Sequence, residues 1–100
     1  MITGTTGIKE TPKGARIWIE ALENKGIQKG GYYQATYAPD AITVSFIQAA
    51  EKPKGYRSNG SSGGIVDLQS KKVTAWAQGS TVAHWAVQNE HTLIIKRAGE

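Results

Sequence analysis

Apolar and polar residues alternate over residues 16–20: Ile17 and Ile19 face one way, and Arg16, Trp18 and Glu20 face the other. That period of two predicts a half-buried strand. Residues 20–25 then read as at most two turns of helix, acidic early and basic late. Gly26 falls where a positive φ carries no Cβ penalty. Lys29-Gly30-Gly31 reads as a tight turn, and residues 32–37 alternate again with Tyr33, Ala35 and Tyr37 on one face. Ala38-Pro39-Asp40-Ala41 suits a type I turn with proline at its second position. It leads into Ile42-Thr43-Val44-Ser45-Phe46, so this stretch predicts a hairpin.

Residues 1–14 carry glycine, proline and several threonines and predict an arm or a weak edge strand. Residues 50–63, AEKPKGYRSNGSSG, predict a solvated basic linker. A strand restarts at residues 65–68. Ser70 is placed to cap a short helix that Gly79 closes. Residues 82–87 and 92–96 predict a second hairpin around Gln88-Asn89-Glu90. Of Trp85 and His84, only one can point inward on such a strand.

The second half repeats the first. Ile17, Ile19, Ile27, Gly30, Tyr33 and Val44 are matched by Val66, Leu68, Trp76, Gly79, Val82 and Leu93 at a constant spacing of 49 residues. A unit of this length cannot bury an apolar face alone, so two copies are expected to share a core. The copies agree at apolar positions and at the glycine after the helix, which are fold requirements. They disagree at basic ones, Arg16 against Ile65 and Lys29 against Gln78. The expected fold is therefore mostly β (small α+β): one domain over residues 1–100, with a first β-α-β-β repeat at 15–48, the linker, and a second at 64–97, forming one pseudo-symmetric barrel.

One hundred residues with 39% hydrophobic content allow one modest core. There is no cysteine, which removes disulfide and thiolate-metal chemistry and fits a reducing compartment. The first residues lack the apolar core of a secretory signal, and no apolar run is long enough to span a bilayer. A cytoplasmic protein without membrane contact is expected. Net charge is +4, a mild bias compatible with an anionic partner and also with an ordinary soluble protein. The excess sits in the N-terminal arm (Lys9, Lys13 and Arg16 against Glu10) and in the linker (Lys52, Lys54 and Arg57 against Glu51).

Residues 15–19, the short helix, Gly26-Ile27-Gln28-Lys29-Gly30 and the following hairpin together resemble an AbrB/MazE-type swapped-hairpin unit of the SymE-like branch. Residues 65–71 resemble paired modules of this kind found ahead of some cytosine-5 DNA methyltransferases. The resemblance spans residues 15–97 through short motifs and has departures. Gly31 and Ser80 stand where an acidic residue often follows the second glycine, and Ile17-Trp18 replaces an Ile-Pro step. Gly55-Tyr56-Arg57-Ser58 only echoes the small basic element of the methyltransferase-linked modules. The resemblance implies a barrel made of two swapped hairpins, closed within one chain as a pseudo-dimer or in a homodimer. It also implies DNA contact through Lys13 and Arg16, with the linker basics beside them.

The expected function is thus a non-enzymatic nucleic-acid-binding module, DNA ahead of RNA, with Lys13, Arg16, Lys52, Lys54 and Arg57 neutralising phosphates. Trp18, Tyr32 and Tyr56 are the expected partner surface: Trp18 and Tyr56 can stack on bases, and Trp18 with Tyr32 can dock a protein. One alternative is a phage or mobile-element accessory protein that binds and inhibits a host protein. Another, carried by the resemblance, is a SymE-like ribonuclease toxin. His84 and His91 lack metal-ligand spacing, and no serine sits in a nucleophile elbow, so neither a metal, a cofactor nor a triad is expected. The glycines at 60, 63 and 64 lack the lysine and hydroxyl ending of a phosphate loop.

Overall fold

The computed structural model describes residues 2–28, 30–58 and 64–97. Among these, eight strands form one antiparallel sheet that curls into an open half-barrel, so the protein is mostly β. They are β1 (Ile2–Lys9), β2 (Ala15–Ile19), β3 (Tyr32–Tyr37), β4 (Ile42–Ile47), β5 (Arg57–Ser58), β6 (Val66–Ser70), β7 (Val82–Asn89) and β8 (Thr92–Arg97). Their order across the sheet is β5-β3-β4-β8-β7-β1-β2-β6.

The alternating strands place their apolar residues on the concave face. Ile17 and Ile19 of β2, Val66 and Leu68 of β6, Val44 and Phe46 of β4, and Leu93 and Ile95 of β8 form the core with Tyr33, Trp85 and Val87. Leu22, Ile27, Val73 and Trp76 fill it from the helical segments. Each such side chain contributes about 1.5–3 kcal/mol by leaving water. Trp85 takes the inward place and His84 is exposed. The first hairpin forms across Pro39-Asp40, closed by the Ala38 N–H donating to the Ala41 carbonyl at 2.9 Å, the reverse of the bond expected of a type I turn.

Residues 2–9 depart from expectation. They are neither an arm nor an edge, but an eight-residue strand between β7 and β2. The reason is tertiary: a Cβ on Gly4 would lie 2.4 Å from the Trp85 ring, so the glycine lets the indole lie flat against the β1 backbone. The segment after β2 is also tighter than two helical turns. It is a single 3-10 turn, Leu22–Lys25, ended by Gly26 at φ 94. The second helix, α1 (Lys71–Ala77), begins after Ser70 with no side-chain cap. Ser70 is held in the ladder opposite Ala15, and its side chain meets Tyr37 instead. The turn of the second hairpin falls later than expected, at Glu90-His91.

Two further features lie in segments without periodic pattern. The expected linker contributes β5, which pairs with Tyr32 and Tyr33, while its residues 59–63, like Lys29, lie outside the described residues. Arg97 is buried, donating to the carbonyls of Trp76 at 2.7 Å and Pro39 at 2.8 Å. It ties the end of α1 to the β3–β4 turn.

Candidate nucleic-acid interface

The turn between β1 and β2 is built by its own residues. Thr11 accepts from the Gly14 N–H through its carbonyl and from the Lys13 N–H through its hydroxyl. Pro12 supplies a fixed φ. Gly14 has φ +119 and is packed so closely that a Cβ would stand 2.3–2.8 Å from backbone atoms of Ser70 and Lys71. The Ala15 N–H donates to Thr74 Oγ1 at 2.8 Å, and Gln69 Nε2 donates to Thr11 Oγ1 at 2.9 Å. These contacts press the turn against the junction of β6 and α1. Lys13 therefore shares one end of the sheet with exposed Lys71 and Lys72, the first residues of α1. Lys9 and Arg16, paired across β1 and β2, lie just inside it.

Arg16 is bound on two sides. Its Nε and one terminal nitrogen donate to the two carboxylate oxygens of Asp67 at 2.8 and 3.0 Å, and its guanidinium lies 4.6 Å from the Trp18 ring centre. The Asp67 hydrogen bonds raise its pKa, against some desolvation, so it stays charged. Trp18 is 38% exposed on the convex face of β2. Thr6, Gly7, Lys9, Arg16 and Trp18 line a hollow of about 360 Å³.

Around the barrel, β6 and β5 face each other across the open seam. Arg57 donates to the Asp67 carbonyl at 3.1 Å, and the Tyr33 hydroxyl bridges the Asp67 N–H and C=O at 3.2 and 3.3 Å. Lys52 and Arg57 line a second hollow of about 410 Å³ with Tyr33, Ser58 and Asp67.

Of the residues expected from sequence, the structure gathers Arg16, Arg57 and Lys52 around Asp67 and puts Lys13 at the basic end. Lys54 stands exposed in the turn before Gly55. Trp18, Tyr32 and Tyr56 do not share a strand. Tyr32 is half-buried on β3 and Tyr56 half-buried beyond the Pro53 turn, with β6 and β5 between them and Trp18 across the seam. Sequence reasoning missed Lys71 and Lys72 as site residues. Their only local signal is a basic pair at the start of a helix, and the β2·β6 register alone brings them to Lys13.

Compared with family models, characterised proteins and solved structures, the chain matches none. Among the described residues, no helix is long and apolar enough to cross a membrane.

Proposed function

We propose that the protein is a non-enzymatic nucleic-acid-binding module whose contact surface is the basic end formed by Lys9, Lys13, Arg16, Lys71 and Lys72. The observation that carries this reading is the convergence of Lys13 with Lys71 and Lys72, which are 58 or more residues apart in sequence. Of the two carboxylates at this surface, Asp67 is already engaged by Arg16 and Glu10 stands exposed between Lys9 and Lys13, so five cations outnumber two acids. Like charges held together cost stability through self-repulsion, and a polyanion removes that cost while releasing counterions. Lys52 and Arg57 extend the surface along the seam. DNA ahead of RNA is what the AbrB-type resemblance implies.

Two duplicated halves suit this architecture. At the 49-residue spacing, the pair Ile17↔Leu68 carries onto Ile19↔Val66, and Thr43↔Ile94 onto Ser45↔Thr92; each partner is present in the ladders. Val44↔Leu93 maps onto itself. Exchanging β1 with β5, β2 with β6, β3 with β7 and β4 with β8 leaves the ring of neighbours unchanged, with the open seam at β5/β6 standing where β1 pairs with β2. β7 is out of step, since Tyr33 faces Phe46 and Trp85 faces Ile95, so that Tyr33 corresponds to Trp85 and not to the exposed Val82. β1 and β5 are also out of step, because Gly4 faces Trp85 where Arg57 faces Tyr33. These registers support a swapped-hairpin pseudo-dimer within one chain, in which the basic end belongs to one half's turn and the other half's helix.

The test is binding of a labelled DNA at 50 and 200 mM salt. Wild type is expected to lose at least tenfold in affinity over that range. K13Q/K71Q/K72Q is expected to reduce the slope of log K against log salt by about 3. A slope unchanged by the triple substitution, or no binding at 50 mM, refutes the reading. The exposed Trp18 favours a second reading, a protein partner docked on β2; such a complex would be insensitive to the three lysines.

A further inference from the structure

We infer that the nucleic acid this protein takes is single-stranded, with Trp18 as the platform on which an unstacked base lies. This rests on the nucleic-acid reading above and narrows it. Trp18 is dispensable to the core, because Ile17 and Ile19 on the same strand already fill it. Nevertheless the indole is held in place. Arg16 lies over it at 4.6 Å from the ring centre, and the indole Nε1 donates to Glu20 Oε2 at 3.4 Å. Arg16 is in turn fixed by Asp67. A partly exposed aromatic oriented by both Arg16 and Glu20 is pre-organised for a flat partner.

The hollow beside it selects the partner's chemistry. At about 360 Å³, it lies at the small end of the range for ligand clefts. Gly7 leaves its wall open, since a Cβ there would meet nothing nearer than 3.9 Å. The guanidinium lies over one face of the indole, so the pair acts as one stacked platform, and such cation and aromatic planes stack on nucleobases. Lys9 lines the same hollow, and Lys13, Lys71 and Lys72 continue the positive charge toward the end of the sheet. A base on Trp18 would thus carry its flanking phosphates onto these lysines. Glu20 stands on the other side of Trp18 from Arg16 along β2, away from that path. In a duplex the base faces are covered by their neighbours, and only edges and phosphates are presented. A stacking platform of this kind therefore favours a single strand.

The experiment compares a twelve-residue oligo(dT), a twelve-residue oligo(U) and a twelve-base-pair duplex, titrated into wild type, W18F and W18A at 50 mM salt. Binding is read by anisotropy of the labelled nucleic acid and by intrinsic fluorescence. Trp18 is the exposed tryptophan of the three in the chain, and Trp76 and Trp85 are buried. The inference expects a single strand to bind at least tenfold tighter than the duplex and to quench the fluorescence. It expects W18A to weaken single-strand binding about ten- to hundredfold while leaving duplex affinity and the salt slope unchanged, and W18F to retain most of the affinity. Whether oligo(dT) or oligo(U) binds tighter decides between DNA and RNA, and either result supports the inference. Duplex bound as tightly as both single strands, or single-strand affinity within twofold of wild type in W18A, overturns it and leaves the nucleic-acid reading standing. No binding of any of the three probes overturns both.

Discussion

Substituting Gly14 by alanine should loosen the contact that assembles the basic end. Gly14 has φ +119, and an added Cβ would lie 2.3 Å from the Ser70 carbonyl carbon, 2.4 Å from its oxygen and 2.8 Å from the Lys71 nitrogen. All three are backbone atoms, so no rotamer change relieves the overlap, and the β1–β2 turn must move away from the β6–α1 junction. A positive φ costs a residue with a Cβ about 1–2 kcal/mol. Displacing the turn also stretches the hydrogen bonds from the Ala15 N–H to Thr74 and from Gln69 to Thr11, worth about 1 kcal/mol each. The sum is about 3–4 kcal/mol, which for a domain of this size lowers Tm by about 12–30 °C. Thermal unfolding followed by circular dichroism measures it. Gly79→Ala is the control: its φ is +83, but nothing lies within 4 Å of the added Cβ. It should cost only the backbone preference, about 1 kcal/mol. If G14A melts within 3 °C of wild type, or no lower than G79A, the close approach is not what holds the turn.

Three further outcomes follow from the seam. Tyr33→Phe removes the hydroxyl that bridges both backbone groups of Asp67; denaturant titration should show a loss of about 1–3 kcal/mol. Asp67→Asn should lower stability only slightly, as befits a solvent-screened pair, yet tighten nucleic-acid binding at 50 mM salt a few-fold by freeing Arg16. Unchanged binding by a folded D67N would place Arg16 outside the interface, and weaker binding would show that Arg16 must be held by Asp67 to act there. The Tyr37 hydroxyl has its pKa raised above 10.0, first by burial and secondarily by Tyr33, against a hydrogen bond to Ser70 and the charge of Arg57. The folded state therefore holds the proton more tightly than the unfolded chain. This contribution is fully present below pH 10 and is lost as pH rises through the folded pKa. Y37F should lose less stability between pH 9 and 11 than wild type, and equal losses would remove Tyr37 as the cause.

Much of the local structure was legible because neighbours in sequence decide it. The alternation at Ile17 and Ile19, the Pro39 turn of the first hairpin and the positive φ at Gly26 require only steric preference and period. Of the site, Arg16 and the outward Trp18 were legible for the same reason, since a strand whose inner positions are apolar must turn its intervening residues to solvent. β1 was not, because threonines and glycines have no apolar period; Gly4 makes sense only once Trp85 lies against it.

The sequence by itself determined a mostly β chain with a positive excess, because charge and hydrophobic period are local properties. The tertiary structure decided which cations meet. The β2·β6 register sets Ala15 opposite Ser70 and so carries Lys71 and Lys72 to Lys13. The curl of the sheet brings Arg57 of one edge to Asp67 of the other. Register and curvature are cooperative outcomes of packing one shared core, and no stretch of the chain short enough to read locally contains them.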